Sequence, residues 1–325
     1  MEPPLWFALL LLLAAAAPSV QAKGSGLAYV SSEKDHAVTL IDLKTLAVVG
    51  TISTCKRPRH MQRLPGDARL MVACSDSGRA DLIDLASRRS VGSVPLGDDP
   101  EVFDLSPDGR TAYVSAEDEG ALNVFDLATQ KLLKSVPLGK EPEGVKVSAD
   151  GKRVYVTSEV ANTVHVVDTA TLRVVKNIAV GKRPRRFAFA AGGAELWVTN
   201  ELGSSVSIIS LRDLAVVATV AFEVKGMRAD DITPVGLVPS PDGKTMYVGL
   251  GRANHIAFVD VASRKTTQQV LVGKRAWGLA LNRDGSRLFV ANGLSDDLTV
   301  VDTAAAKALK TLSVGRVPHT VVVDD

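Results

Sequence analysis

Charged and aromatic residues recur directly after a series of regularly spaced prolines, one of which is replaced by alanine. The residues in these positions are Arg59, Glu101, Glu143, Arg185, Val235, Trp277 and His319, and the next position adds His60 and Arg186. Guanidinium, carboxylate, imidazole and indole groups supply the donors, acceptors and fixed charges that hold a polar or anionic ligand. If the chain is built from repeats of this spacing, these residues form one ring. That ring is the candidate binding site.

The spacing of these residues is that of a structural repeat. An aspartate that ends a β-rich run recurs every 42 residues from Asp42 to Asp168, and the series continues at Asp260 and Asp302 after Ser210 replaces it once. Each repeat contains four short runs rich in Val, Ile and aromatic residues, separated by turns of Gly, Asp, Asn and Thr. Seven such repeats predict an all-β fold, a seven-bladed β-propeller with four-stranded antiparallel blades.

The two ends of the chain predict how the propeller closes. The run from His319 to Val323 has the pattern of a first strand, whereas the second strand of that repeat begins at Leu27. We therefore expect the C-terminal strand to pair with the N-terminal strands in one blade, which leaves neither end as a free edge. Residues 23–325 then form one propeller domain.

Residues 1–22 differ from the repeats. The apolar run Leu5–Ala17 is followed by small residues at Val20 and Ala22, the pattern of a secretory signal peptide. We expect cleavage after Ala22 and a periplasmic protein. The n-region has Glu2 and no Lys or Arg, which leaves an uncleaved anchor as the alternative. The balance of 38 basic and 36 acidic residues predicts no general affinity for nucleic acid, and no later apolar run is long enough to span a membrane.

In a propeller, the ring residues lie where the chain enters the innermost strand of each blade, at the mouth of the central channel. Neighbouring charged residues extend the pattern: Asp98, Asp99, Glu117, Glu119 and Glu141 on the third and fourth blades, and Lys56, Arg57, Lys182, Arg183, Lys274, Arg275 and Arg316 on the others. We predict an acidic arc and a basic arc, with the insertion 223–233 above the mouth as a lid. The alternative is a solvated face whose charges merely balance, with surface ion pairs of little worth for stability.

Several other conspicuous residues have a structural explanation. The only cysteines, Cys55 and Cys74, fall before the first and after the second strand of one repeat, which predicts a disulfide in an exported protein. The D-x-x-[ST] patterns, such as Asp42 with Thr45, are typical of turns capped by the carboxylate. No catalytic or phosphate-binding motif is present, so we assign no catalytic residue, no metal and no cofactor. We interpret Asp230 and Asp231 as part of a solvated loop.

The repeat resembles a known family. GKEPEGVKVSADGKRVYVTS (139–158) and GKRPRRFAFAAGGAELWVTN (181–200) resemble the YVTN β-propeller repeat, and the resemblance covers residues 27–325. With the signal sequence and the longer connector before the sixth repeat, the chain resembles the PQQ-dependent catabolism-associated β-propeller proteins. This resemblance implies an exported bacterial accessory protein of quinoprotein alcohol oxidation and an associated transport system.

We therefore expect a non-catalytic periplasmic binding or scaffold protein. Its mouth would bind a protein partner, such as a component of the transporter or quinoprotein system, or a small polar or anionic ligand. One alternative is a lactonase-like hydrolase, in which His60, Glu143, Arg185 and His319 act as base and electrophile. Another is a cell-surface interaction protein. A quinoprotein is disfavoured, because such enzymes resemble eight-bladed, Trp-rich propellers with adjacent cysteines.

Overall fold

The computed structural model describes residues 24–66 and 68–325. The predicted signal peptide, residues 1–22, lies outside these residues. Almost all regular structure in the described chain is β-strand, interrupted by one-turn 3-10 helices at Ser75–Ser77, Ala191–Gly193, Glu201–Gly203 and Ala229–Asp231. Within the same residues, no helix has the length and apolarity that crossing a bilayer requires.

The strands form seven antiparallel sheets of four strands, which are the blades of a propeller. In blades 1 to 3 the strands are β1 (Leu27–Ser32), β2 (Ala37–Asp42), β3 (Ala47–Ser53), β4 (Pro58–Arg63), β5 (Arg69–Cys74), β6 (Arg79–Asp84), β7 (Arg89–Pro95), β8 (Pro100–Leu105), β9 (Thr111–Ala116), β10 (Ala121–Asp126) and β11 (Lys131–Pro137). In blades 4 and 5 they are β12 (Pro142–Val147), β13 (Arg153–Ser158), β14 (Thr163–Asp168), β15 (Arg173–Ala179), β16 (Pro184–Ala190), β17 (Glu195–Asn200), β18 (Ser205–Ser210) and β19 (Ala215–Ala221). In blades 6 and 7 they are β20 (Leu237–Pro239), β21 (Thr245–Gly249), β22 (His255–Asp260), β23 (Lys265–Leu271), β24 (Ala276–Leu281), β25 (Arg287–Asn292), β26 (Asp297–Asp302) and β27 (Lys307–Ser313). The predicted all-β, seven-bladed fold is confirmed.

The last strand, β28 (Pro318–Asp324), closes the ring as predicted. It is the innermost strand of blade 1 and pairs antiparallel with β1, with Leu27 opposite Asp324 and Val30 opposite Val321. The backbone N–H of Gly26 also donates to the carbonyl of Asp324 at 2.8 Å. Both chain ends are therefore paired inside one sheet, and the blade has no unpaired inner edge.

Apolar side chains pack between neighbouring blades. The third residue of the second strand in a blade is buried, as Tyr29, Tyr155, Trp197 and Phe289 illustrate. Because both faces of a blade lie against other blades, the middle strands are apolar on both sides, whereas the outermost strands are largely exposed. Burying one such large side chain contributes about 2–3 kcal/mol. The inner strands are thereby held in fixed positions around the channel.

Two predictions about local structure are confirmed. The Asp42 carboxylate accepts hydrogen bonds from the Thr45 amide at 2.7 Å and the Thr45 hydroxyl at 2.8 Å, which caps the turn. The same turn recurs at Asp126, Asp168 and Asp260. Cys55 and Cys74 form a disulfide whose Cα atoms are 5.7 Å apart. It ties the loop before β4 to the end of β5.

The insertion before blade 6 is an anchored loop. Phe222, Val224 and Ile232 are buried in the apolar core between blades 5 and 6, while residues 225–230 are exposed. The Ser204 hydroxyl donates to the carbonyl of Ala229 at 2.5 Å. No hydrogen bond or ion pair within 24–66 and 68–325 joins the loop to a ring residue. It therefore lacks the contacts expected of the predicted lid.

Candidate functional site at the channel mouth

The ring residues other than Val235, which precedes β20, lie at an interruption of their inner strand. In blade 2, Pro58 pairs with Cys74 and Met61 with Val72, so the register shifts across Arg59 and the residue after it. The same shift follows the first residue of the inner strand in blades 3, 4, 5 and 7. A bulge of this kind releases side chains from the regular alternation of a strand. It frees the ring residues to enter the channel mouth.

Hydroxyl groups replace the missing ladder bonds and connect neighbouring blades. The Thr157 hydroxyl accepts from the Gly144 amide at 2.7 Å and donates to the Arg185 carbonyl of the next blade at 3.1 Å. Ser31, Ser115 and Thr199 occupy the same repeat position and make the same pair of bonds. These hydroxyls fix the backbone of one ring residue relative to the next. Sequence reasoning missed them, although they share the 42-residue spacing.

Three glycines of the inner strands are required by close packing. A Cβ atom on Gly144 would lie 1.9 Å from the carbonyl oxygen of Arg185, and one on Gly236 would lie 2.1 Å from that of Trp277. A Cβ atom on Gly278 would lie 2.2 Å from the carbonyl oxygen of His319. Only glycine permits such an approach of neighbouring backbones. These positions therefore serve the ring geometry.

One side of the mouth, which we call the paired sector, is a buried ion-pair network. It consists of Glu143, Glu159, Arg183, Arg185, Arg186 and Glu201. The Arg185 guanidinium lies 2.7 Å from Glu201 and 3.3 Å from Glu143, and it also contacts Glu159. Arg183 lies 2.6 Å from Glu159 and 3.3 Å from Glu201.

The paired sector corrects two predictions. The prediction of separate acidic and basic arcs is wrong here, because Glu159 of blade 4 and Glu201 of blade 5 both contact the arginines Arg183 and Arg185. The expectation of surface ion pairs is also wrong, since the Arg185 side chain is only 8% exposed and the Glu159 side chain only 2%. Reasoning from sequence named Glu117 but missed Glu33, Glu159 and Glu201, which occupy the same repeat position after the second strand of their blades. The 42-residue spacing from Glu117 was the available signal.

Burial and the surrounding charges shift the pKa values of these carboxyl groups apart. Burial opposes the charge of Glu143, but Arg186, Arg185 and Arg59 outweigh it and lower the pKa of Glu143 to about 2. Burial, opposed by Arg185 and reinforced by the charge of Glu143, raises the pKa of Glu159 to about 7. Glu159 and Glu201 share Arg183 and Arg185, and the buried Glu159 carboxyl group therefore holds a proton more readily than an exposed one.

The acidic residues of blade 3 meet arginines from blade 2. Arg59 contacts the fully buried Glu101 and lies 3.8 Å from Glu33. Arg57 lies 3.3 Å from Glu33 and 3.6 Å from Asp99. These contacts position the two guanidinium groups of blade 2 at the mouth.

The opposite side of the mouth, which we call the open sector, surrounds a cavity of about 260 Å³. Its polar lining residues are Glu33, Arg57, Arg59, Arg275, Trp277 and His319. A second cavity of about 160 Å³ lies next to it and is lined by His60, Arg186, Trp277 and His319, among others. Trp277 and His319 line both cavities and stand between them.

The open sector contains polar groups that the protein itself does not satisfy. The Arg275 guanidinium lies 4.0 Å from the centre of the Trp277 ring and makes no ion pair with any carboxylate of the described chain. Trp277 is only 6% exposed, yet its Nε1 has no hydrogen-bond partner among the same residues. A buried donor without an acceptor is costly, which makes the Trp277 Nε1–H a candidate for ligand binding. Arg275 is half-buried, and its positive charge without a carboxylate partner makes it the second candidate.

The histidines beside these donors are uncharged at neutral pH. Burial and the charges of Arg59 and Arg186 lower the pKa of His319 well below its usual range. The Nδ1 of His319 lies 2.9 Å from the Thr320 hydroxyl, and its Nε2 lies 3.4 Å from Arg186. Burial and Arg186 likewise lower the pKa of His60 to about 3. Because an arginine can only donate, the contact with Arg186 makes Nε2 the unprotonated nitrogen of His319, and this is the atom that can act as a base.

The structure brings the predicted ring residues together but divides them by role. Arg59, Trp277 and His319 line the open sector, and His60 and Arg186 line the second cavity. Glu101, Glu143 and Arg185 are engaged in buried ion pairs, in which Arg59 and Arg186 also take part. Val235 is a fully buried apolar residue.

Comparisons with known proteins identify two similar families. Residues 102–190 match the model of the YNCE-like β-propellers, and residues 170–323 match that of the seven-bladed β-propeller lactonases. No curated protein sequence matches the chain significantly. The chain is thus a seven-bladed β-propeller with similarity to YNCE-like proteins and lactonases.

Solved structures share the fold. The periplasmic gluconolactonase of Pseudomonas aeruginosa superposes with a TM-score of 0.78 and 22% identity, covering 92% of this chain and 99% of that chain. Kuenenia stuttgartiensis hydrazine synthase gives 0.74 and 22% identity over 89% and 99% of the two chains. A dihydro-haem d1 dehydrogenase gives 0.70 and 16% identity over 95% and 77%. At these identities the similarity shows the fold alone.

The expectation of a non-catalytic scaffold accessory to PQQ-dependent catabolism is wrong. The match of residues 170–323 to the lactonases overturns it and favours the alternative, a lactonase-like hydrolase. The matched span includes Arg275 and Trp277, which contribute the unsatisfied polar groups of the open sector, and His319, which lies beside them.

Proposed function

We propose that this protein is a lactonase-like hydrolase whose substrate binds in the open sector. The observation that carries the proposal is the combination of the unpaired Arg275 guanidinium, the unpaired Trp277 Nε1–H and the uncharged His319 around one cavity. A hydrolase that cleaves a cyclic ester needs donors for the carbonyl oxygen and a base for the attacking water. These three side chains supply both.

The reaction follows from these roles. Arg275 and Trp277 donate hydrogen bonds to the ester carbonyl oxygen and stabilise its negative charge when water adds to the carbonyl carbon. His319 takes a proton from that water. The bond between the carbonyl carbon and the ring oxygen then breaks, and the proton returns to the departing alkoxide. The product is the open-chain hydroxy acid, and no cofactor is consumed.

The assignment of roles differs from the sequence-based hypothesis. Glu143 and Arg185 were candidates for base and electrophile, but both are bound within the paired sector, where Arg185 contacts three carboxylates. His60 lines the second cavity. Of the four residues in that hypothesis, His319 alone lines the cavity of the open sector.

The decisive experiment measures the hydrolysis of D-glucono-δ-lactone by the purified protein with a pH indicator, after subtraction of spontaneous hydrolysis. This substrate is chosen because a structural neighbour is a gluconolactonase and because its hydroxyl groups suit a polar cavity. We expect Trp277→Phe to lower kcat/KM about 100-fold, in the range observed when one donor to an oxyanion is removed. His319→Gln is expected to reduce kcat without unfolding the protein.

His255→Gln is the matched control, because within residues 24–66 and 68–325 the His255 side chain bonds only to the Ala253 carbonyl of its own blade. It should keep the wild-type rate. Absence of hydrolysis for this and a panel of other lactones would contradict the proposal. So would equal rates for wild type and both site variants.

The export of the protein stays a proposal. The apolar segment before residue 23 supports a periplasmic location, as does the periplasmic gluconolactonase of the same fold. The resemblance to the PQQ-dependent catabolism-associated family stays a prediction.

A further inference from the structure

One glutamate of the mouth lacks the arginine partner that its equivalents have. Glu33, Glu159 and Glu201 share a repeat position, and each lies beside a guanidinium, at 3.3 Å from Arg57, 2.6 Å from Arg183 and 2.7 Å from Arg185 respectively. Glu117 occupies the same position in blade 3. Its side chain makes no hydrogen bond or ion pair with any residue in the described ranges. It faces other carboxylates.

Glu117 and two neighbouring carboxylates lie close enough together to bind one cation. Asp99, Glu101 and Glu117 each place one oxygen so that all three oxygens lie within 4.8 Å of one another. Asp99 has a positive φ of 41°, the left-handed conformation also adopted by Arg57 and Arg183 before their inner strands.

Glu101 provides an independent sign that this position accepts a ligand. Its side chain is completely buried, and only its Oε1 is paired, with Arg59. Its Oε2 accepts no hydrogen bond from any described residue. A buried carboxylate oxygen without a donor carries a large desolvation cost, which a bound cation would remove.

The nearby arginines do not neutralise this group of acids. Arg57 and Arg59 are shared by four carboxylates, those of Glu33, Asp76, Asp99 and Glu101. Glu117 adds a fifth negative charge against two positive charges. The deficit of positive charge is therefore confined to the blade 3 side of the mouth.

We propose that Asp99, Glu101 and Glu117 bind a divalent cation, and that Ca²⁺ is the preferred ion. Hard oxygen donors suit Ca²⁺ and Mg²⁺, and Ca²⁺ holds oxygens at 2.3–2.6 Å, so one ion spans oxygens up to about 5 Å apart. Mg²⁺ requires ligands at 2.0–2.1 Å in an octahedron, which spans only about 4 Å. This cation site is separate from the proposed hydrolase chemistry and does not depend on it.

The test is calorimetric titration of the chelator-treated full protein with CaCl₂ alone, and with MgCl₂ for comparison. We expect saturable binding of one Ca²⁺, weaker binding of Mg²⁺, and at least a tenfold loss of Ca²⁺ affinity in Glu117→Gln. Because Glu117 has no ion-pair partner, this variant should fold. Asp118→Asn, an exposed neighbour in the same loop, is the matched control and should bind Ca²⁺ as wild type does.

Two results would overturn the site. One is the absence of saturable Ca²⁺ binding below about 10 mM. The other is equal affinity in wild type and Glu117→Gln, with thermal denaturation showing that both are folded. If Glu117 instead holds a proton and binds no ion, Ca²⁺ will not change the Tm of either protein, and Glu117→Gln will have the Tm of wild type. This result also contradicts the site. Since the readout is binding, a failure here leaves the lactone assay unaffected, and the reverse is also true.

Discussion

Arg183 and Arg275 occupy the same repeat position on the two sides of the mouth but have opposite surroundings. Both precede the first residue of an inner strand, with φ of 54° and 61°. The backbone carbonyl of each arginine accepts a hydrogen bond from the backbone N–H of the residue that follows the second strand of its blade. That residue is Glu201 for Arg183 and Gly293 for Arg275. Where that residue is glutamate the guanidinium is paired, and where it is glycine the guanidinium remains unpaired.

The neighbouring blade repeats this difference. Arg183 also pairs with Glu159 of the preceding blade, whereas the equivalent residue in the blade before Arg275 is Gly251. Two glycines in place of two glutamates therefore remove both acidic partners. Gly293 itself lines the cavity of the open sector. The comparison shows that a guanidinium stays unpaired beside a cavity in this ring where its acidic partners are replaced by glycine, and the proposed binding site rests on this difference.

The largest expected effect comes from breaking the paired sector. We expect Arg185→Met to lower the free energy of unfolding by about 3–5 kcal/mol, because it leaves buried carboxylates without their shared cation. Denaturant unfolding measures this change. Arg110→Met is the control, since Arg110 is exposed, and it should change stability by less than about 0.5 kcal/mol. A loss of less than about 1 kcal/mol for Arg185→Met would mean that the network does not hold this side of the mouth.

A substitution of intermediate effect converts the open sector into a paired one. Gly293→Glu places a carboxylate where Arg183 finds Glu201, and a Cβ there meets only ordinary contacts, 3.5 Å from the Pro318 carbonyl and 3.9 Å from Arg275. We expect at least a tenfold loss of kcat/KM with stability changed by about 1 kcal/mol or less. Lactone hydrolysis and denaturant unfolding measure the two effects.

Gly50→Glu is the matched control for this substitution, because it adds the same charge at an open position of β3. It should leave hydrolysis unchanged. Full activity in Gly293→Glu would show that the unpaired guanidinium is not required.

The smallest effect tests the proton in the paired sector. The native pKa of Glu159 near 7 exceeds that of the unfolded chain, so the native state binds more protons at this group between about pH 4.5 and 7. Its contribution to stability therefore increases as the pH falls through 7. Relative to Glu159→Gln, wild type should gain about 1 kcal/mol between pH 8 and pH 6.

The comparison of wild type with Glu159→Gln isolates the contribution of the Glu159 carboxyl group. The neutral buried histidines oppose folding at low pH, but they are common to both proteins and cancel in the difference. The charged neighbours Arg183, Arg185, Glu143 and Glu201 are also the same. Chemical denaturation at several pH values measures the difference. A difference that is constant from pH 8 to pH 6 would assign the proton elsewhere.

The repeat made most of the fold predictable. The aspartates at 42-residue steps, the split closing blade and the disulfide between Cys55 and Cys74 all follow from register, because equivalent positions in a propeller occupy equivalent places. The same register assigned Arg59, Trp277 and His319 to the mouth. It did not predict that Glu101, Glu143 and Arg185 are buried in ion pairs.

The sequence by itself determined the number of blades, the way the ring closes and which residues reach the mouth. Only the tertiary structure decided which of them are free to bind. Arg185 obtains its partners from blades 4 and 5, whereas Arg275 lacks partners because of Gly251 and Gly293. Pairing of this kind depends on distances of 3–4 Å between side chains of different blades. Position within the repeat specifies the place of the backbone, and the contacts across blades specify the charge that remains for a ligand.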